Sequence, residues 1–351
     1  MLAGFQERIR DAAARGAPLR LRGGGSKDFY GGALQGEVLD TRGHAGVVSY
    51  EPTELVVTAR CGTSLADLEA TLAASGQMLA FEPPHFSAGA TLGGCVAAGL
   101  SGPRRAAAGA VRDFVLGARL LDGRARELAF GGRVMKNVAG YDVSRLLAGS
   151  LGTLGLILEV SLKVLPRPPQ ELTLALELPE DKALEALNRW AGSPLPLSAS
   201  AWRDGKLSLR LSGAPSALQA AAKAIGGRPL EPAQAGRFWS GMREHADAFF
   251  AGDAPLWRLS LPSQAPALGL PGEQMIEWNG ALRWLRTHAD AAEVRAVAER
   301  AGGHATLFRG GDRRGGVFAP LAPGLLKLHR GLKAAFDPAG VFNRGRLHPD
   351  F

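Results

Sequence analysis

The residues whose types and spacing could do chemistry in this chain are chiefly glycines. Three clusters stand in its first half. The first is Arg22, Gly23, Gly24, Gly25, Ser26 and Lys27; the second runs from Gly89 through Thr91, Leu92 and Gly93 to Gly94. The third is Gly149, Ser150, Leu151, Gly152, Thr153, Leu154 and Gly155. Glycines that follow a strand let backbone N–H groups come close to a phosphate and form an anion-binding nest. Any one cluster, taken singly, also reads as turn punctuation, because isolated glycine patterns are weak motifs. Other chemistries lack their residues. No stretch reads GxGxxG or GxxxxGK(S/T), so neither a Rossmann fingerprint nor a P-loop is present. Ser150 has the wrong spacing for a GxSxG nucleophile elbow. The seven histidines are scattered, with no pair at helix-facing spacing, and no metal site is expected. Two cysteines, Cys61 and Cys95, exclude a disulfide framework, a four-cysteine zinc site and a self-ligated iron–sulfur cluster. They favour a reducing compartment.

The elements that must position these clusters follow from composition and pattern. The 351 residues are 46% hydrophobic and 21% charged, enough apolar content for a sizeable core. Domains of roughly 100–200 residues would make two or three of them. The net charge of +8 is spread along the chain, which suits anionic ligands or an acidic partner and is no mark of nucleic-acid binding. The N-terminus has no apolar targeting core, since Leu2, Phe5 and Ile9 are interrupted by Glu7, Arg8 and Arg10. The charge-free stretches are glycine-rich or too short to span a bilayer. A cytoplasmic protein is expected, reaching the inner face of a membrane only through partners.

Leu19 to Arg22 reads as a strand running into the triple glycine. Residues 47–50 and 55–60 are strand-like, and Ser64 can cap a helix carrying Leu65, Leu68 and Leu72 that stops at Gly76. Residues 115–121 and 126–130 flank Asp122-Gly123, a hairpin signal. Asp142 can cap a short helix ending at Gly149. Leu156, Leu158, Val160, Leu162 and Val164 alternate with Ile157, Glu159, Ser161 and Lys163, a period of two. Pro166, Pro168 and Pro169 mark a boundary. Beyond it come two similar strand–helix units with hairpins at Asp204-Gly205 and Asn279-Gly280, a compact α+β module. A helix at 323–336 offers Leu325, Leu326, Leu328 and Leu332 as an apolar face to complete the first domain. Asp337-Pro338 and Gly340 then turn the tail back.

In order, the Arg22–Lys27 loop, the Thr-Leu-Gly-Gly at 91–94, the segment from Gly102 through Gly109, Ala110 and Asp113, and the third cluster strongly resemble the FAD-binding domain of the vanillyl-alcohol oxidase family, the PCMH-type domain. Lys136-Asn-Val-Ala-Gly-Tyr-Asp142 and the closing Asp337-Pro-Ala-Gly-Val-Phe-Asn343 continue the resemblance. Within the family, that lysine string, the short length and the Gly-Pro-Arg-Arg at 102–105 are similar to the FAD-binding subunits of bacterial glycolate oxidases (glycolate dehydrogenases). The specific motifs cover about residues 15–170 and 320–345. The resemblance implies an α+β fold: a two-part PCMH-type FAD-binding domain at 1–168, an inserted α+β cap at 169–318, and a C-terminal segment at 319–351 that returns to the FAD domain. Arg22 to Lys27 would hold the pyrophosphate. Thr91, Leu92, Gly93 and Gly94, with Gly149, Gly152, Gly155 and Ile157, would line the dinucleotide. Gly109, Ala110 and Asp113 would hold the adenine and ribose side, and Asn343 would sit near the isoalloxazine.

Departures from the family pattern refine this. Relatives with covalent flavin carry His where Ser26 or Lys27 stands, or Cys near 102–105, so the FAD is expected to be noncovalent. Ala108 stands where an aromatic often precedes the glycine, and the closing Asn-Pro is Asn343-Arg344. Catalytic D-2-hydroxyacid dehydrogenases of this fold carry a His-rich metal motif that binds the hydroxyacid and takes its proton. Here only His304, Arg309 and Asp312 stand in that region, at other spacings, and Arg309, Arg313 and Arg314 read as a basic loop. No catalytic residue is assigned. The implied function is an FAD-binding subunit of a glycolate or D-2-hydroxyacid oxidoreductase complex. Its partners would be a catalytic flavin subunit and an iron–sulfur subunit that passes electrons toward quinone. A free-standing flavin enzyme and a flavin-free assembly scaffold are the alternatives.

Overall fold

The computed structural model describes residues 1–132, 142–349 and 351. The chain divides into two compact units. The first comprises Met1–Leu100, Ala110–Pro166 and Pro320–Phe351; the second comprises Ser101–Gly109 and Arg167–Ala319. The excursion 101–109 groups with the second unit for an electrostatic reason. Arg104 is buried, and its guanidinium pairs with Glu171 and donates to Ser212 Oγ at 3.2 Å, on strands of that unit. Trp278 Nε1 donates to Gly102 O at 3.1 Å beside it. A buried cation must be paired, and here its partners lie on the second unit.

Among the described residues, the first unit is built on five antiparallel strands in the order 47–51, 56–60, 156–163, 115–121, 127–131. The hairpin at Asp122 forms as its sequence predicts. The fully buried Asp122 carboxylate accepts from Arg124 N at 2.9 Å and Arg126 N at 2.8 Å, which fixes the turn. Ser64 caps the helix Leu65–Ala74, its Oγ accepting from Asp67 N. The alternation expected of Leu156–Lys163 is not observed: Ile157 and Ser161 are buried along with Leu156, Leu158 and Val160. The strand is central and covered on both faces, so a half-buried pattern cannot persist. Leu156 and Leu158 pack with Phe5, Ile9 and Ala12 of the helix Leu2–Arg15, and with Leu19, Leu39, Val341 and Phe342. A short parallel pair, Leu19–Arg22 with Glu37–Asp40, completes this end.

The C-terminal helix, Pro323–Phe336, forms where the sequence places it, but its apolar face is not buried. Leu325 is 51% exposed and Leu328 64%. Polar groups of its last turn anchor it instead: Lys333 is buried, and Phe336 O accepts from Gly123 N at 2.8 Å.

The second unit is an antiparallel sheet of eight strands, in the order 228–229, 170–177, 206–213, 197–203, 273–277, 282–286, 256–260, 304–309. The helix Glu180–Ala191 buries Leu184, Leu187 and Trp190 against Trp202, Leu207 and Leu209. The helix Ala291–Arg300 does the same with Val294 and Ala298 against Trp257, Leu259 and Leu307. A helix the sequence pattern did not announce, Pro232–Glu244, contributes Trp239, whose Nε1 donates to Thr173 Oγ1 at 2.9 Å. Among the described residues, no helix is long and apolar enough to cross a membrane.

Candidate functional site

The glycine clusters of the first unit meet. They wall an open cleft. The first cluster contributes Arg22, Gly23, Gly24, Gly25, Ser26 and Lys27, and the second Thr91, Gly93 and Gly94. Gly152 and Gly155 come from the third, Ile157 from the strand Leu156–Lys163 that follows it, and Asn343 from the returning tail. Local sequence explains the convergence. The strand Leu19–Arg22 delivers the first loop, and a Cβ on Gly24 would stand 1.5 Å from Gly89 O, so the first two loops touch backbone to backbone. Gly25 has φ +74°, and a Cβ there would lie 2.2 Å from the Arg22 guanidinium. Only glycine meets both demands. Thr91 caps the helix Leu92–Ala98, its Oγ1 accepting from Gly94 N at 3.3 Å, so Gly93 and Gly94 present backbone to the cleft.

Five expected residues are not among those that line the cleft. Leu92 is fully buried as the first residue of that helix, its N donating to Thr63 O at 2.9 Å. Gly149 is not among the lining residues; its N donates to Val96 O at 3.0 Å. Gly109 groups with the second unit. Ala110 and Asp113 close a tight turn on each other, Ala110 N donating to Asp113 Oδ2 at 2.8 Å. Of the string 136–142, residues 136–141 lie outside the described residues; Asp142 caps the helix Val143–Leu146 by accepting from Arg145 N.

Asn343 reaches the cleft, with its side chain engaged at both ends. Its Oδ1 accepts from Leu21 N at 2.8 Å and its Nδ2 donates to Leu151 O at 2.6 Å. It therefore braces the first strand against the third glycine loop.

The cleft is basic. Arg20, Arg22, Lys27 and Arg346 line it against the carboxylate of Asp28. Asp28 pairs with Arg20 and lies 3.1 Å from Arg22 Nε. Lys27 Nζ donates to Ser26 Oγ at 3.3 Å and His85 O at 3.4 Å, and stands 5.4 Å from the centre of the Phe86 ring. Arg346 was not anticipated from sequence. It is buried and donates to the carbonyls of Tyr30, Gly32 and Asp28, pinning the chain that follows the first glycine loop. Its signal, an arginine in a Gly-Arg-Leu tail, is indistinguishable from a solvated charge. Cys61 also lines the cleft, and burial pushes its thiol up to about 12, so it is no nucleophile at neutral pH. In the second unit, burial and the Arg258 charge lower the pKa of His304, and the Arg314 guanidinium holds exposed Asp312 at about 2. Among the described residues, no three His, Cys, Asp or Glu side chains are grouped to hold a metal ion.

A cleft with glycine walls, a cationic rim and the apolar Leu21, Leu151, Leu156 and Ile157 fits a dinucleotide that carries a diphosphate and a flat ring system. The class of protein this defines is a flavin-binding one, and the sequence pattern of the FAD binding domain matches residues 3–131. The glycolate oxidase subunit GlcE of Escherichia coli (strain K12) is 48% identical over 98% of this chain and 96% of that protein. The chain belongs to the family of that subunit. A D-lactate dehydrogenase of Archaeoglobus fulgidus is 30% identical over 54% of this chain and 43% of its own. The glycolate oxidase subunit GlcD of Bacillus subtilis is 31% identical over 36% and 27%. In three dimensions the chain is similar to alkyldihydroxyacetonephosphate synthase, with a TM-score of 0.68 at 16% identity, covering 96% of this chain and 74% of that one, a likeness of fold.

Proposed function

We propose that this chain is the FAD-binding subunit of a glycolate or D-2-hydroxyacid oxidoreductase complex, working beside a catalytic flavin subunit and an iron–sulfur subunit. The observation that carries the reading is the end-to-end similarity to GlcE, joined to a basic glycine-walled cleft in the matched domain. FAD is held noncovalently. Arg22, Gly23, Gly24, Gly25, Ser26 and Lys27 take its diphosphate, with charge from Arg20 and Arg346. Thr91, Gly93, Gly94, Gly152, Gly155 and Ile157 give it close backbone and apolar contact, and Asn343 braces the wall. The bound flavin supplies electron transfer from hydroxyacid oxidation toward the iron–sulfur subunit and quinone. The protein works in the cytoplasm and meets the inner face of the membrane through its partners.

The test is the purified chain. It should take up about one FAD, release all of it on acid precipitation, and turn over glycolate with an artificial acceptor only when the partner subunits are added. Flavin fluorescence on a denatured gel band would refute noncovalent binding. A rate from the isolated chain equal to that of the complex would favour a free-standing enzyme.

A further inference from the structure

Two segments far apart in sequence form the closing wall of the cleft, and one buried ammonium joins them. Lys333, 5% exposed, lies in the last turn of the C-terminal helix. Its Nζ has three donors, and they meet Thr153 O at 2.8 Å, Phe342 O at 2.9 Å and Asp337 Oδ2 at 2.7 Å. Asp337, itself buried, accepts from Val341 N at 3.1 Å and Phe342 N at 2.8 Å. Thr153 follows Gly152 and Phe342 precedes Asn343, both residues of the cleft wall. The ammonium thus fixes the distance between the loop that carries Gly152 and the tail that carries Asn343, and the Asn343–Leu151 bond closes the ring between them.

Packing alone does not explain a lysine here. Burial lowers its pKa, with Asp337 opposing, and hydrocarbon of similar volume often replaces a buried ion pair without loss of stability. What hydrocarbon cannot do is hold two carbonyls at a set separation. We propose that Lys333 is a positioning residue for the dinucleotide cleft, tying the third glycine loop to the returning tail so that FAD meets a preformed wall. This rests on the FAD reading above.

The experiment measures the FAD dissociation constant of the full-length apo chain by quenching of flavin fluorescence, beside its thermal midpoint. Lys333→Met should weaken FAD about tenfold, as a wall correctly placed a tenth of the time would. Asn343→Ala should also weaken it. The double variant should lose less than the product of the two, because both act on one wall. A Lys333→Met chain whose FAD affinity stays within twofold of wild type while its midpoint falls overturns the proposal and leaves Lys333 a stability residue. Multiplicative losses in the double variant overturn it too. Should Lys333→Met not fold, Lys333→Gln decides by the same affinity criterion, since a shorter neutral amide with two N–H donors cannot serve the three acceptors the ammonium joins. A wild-type chain that takes up no FAD overturns the cofactor reading itself, a result distinct from either of these.

Discussion

The two units solve different problems with different materials. The sheet of the second unit is held chiefly by side chains: apolar layers between its helices and strands, the fully buried Arg283 donating to the carbonyls of Gly280, Pro266 and Ala265, and turns such as Asp204-Gly205 that face open space. The cleft of the first unit is held by backbone against backbone, as where Gly24 meets Gly89, with buried charged groups such as Arg346, Lys333 and Asp337 pinning irregular segments. The difference teaches where tolerance lies. A layer of side chains can repack around a lost methyl group, whereas two loops in backbone contact cannot admit a gained one.

The sharpest way to break the comparison is to add the same methyl group to each unit. Gly205→Ala puts a Cβ where nothing lies within 4 Å, at φ +77°. It should cost about 1 kcal/mol, the penalty of left-handed backbone for a residue with a side chain. FAD occupancy should be unchanged. Gly24→Ala puts a Cβ 1.5 Å from Gly89 O, so the first two loops must part. FAD retention should be lost altogether. Bound FAD per chain and the thermal midpoint decide it, and equal occupancy in the two variants would erase the distinction between the units.

A second cut tests the buried pins. Arg346→Ala removes a guanidinium that serves three carbonyls, at Tyr30, Gly32 and Asp28. Buried acceptors left without a donor, after the loss of a charge-assisted bond, should cost about 2–4 kcal/mol. Urea midpoints at unchanged slope measure it, and FAD affinity should fall with them because the pinned segment continues the first glycine loop. A loss below about 0.5 kcal/mol, the scale of an ordinary surface change, would show Arg346 to be a solvated charge after all.

How much of this was legible in sequence follows the same division. The second unit's hairpins could be read because Asp-Gly and Asn-Gly turn chemistry is local. Its helix Pro232–Glu244 could not, because Gly236 and Gly241 interrupt its period and only Trp239 and Met242 are buried. In the first unit the glycine clusters were visible as motifs, and the structure gathers most of their residues at one cleft. Their reason was not visible, since contact between Gly24 and Gly89 joins loops 65 residues apart. The parallel pair of Leu19–Arg22 with Glu37–Asp40 escaped for want of any local signal. The C-terminal helix was misjudged because its leucines looked like the buried face, when a lysine is what the core takes up.

The smallest effect sharpens the comparison through pH. His245 lies within the second unit, its ring stacked on Phe250 at 3.9 Å and 3° and edge-on to Trp284. Burial, helped by the charges of Arg309 and Arg258, lowers its pKa well below the usual 6.5. The unfolded chain therefore binds a proton near pH 6.5 that the folded chain refuses until a lower pH. Between those two values the unfolded state holds more protons, so stability falls as the pH drops through that window and is flat above it. One group changes stability by at most about 1.4 kcal/mol per pH unit. His304 and His44, also lowered by burial, slope the same way, so the quantity to read is a difference between variants. His245→Phe keeps an aromatic ring on Phe250 and removes the proton. Its unfolding free energy should match wild type or better at pH 5 relative to pH 7.5, with a shallower slope between them, while the FAD cleft of the other unit keeps its affinity at both. An unchanged slope would show that His245 is protonated in the folded chain, with the aromatic stack carrying a charge that burial alone forbids.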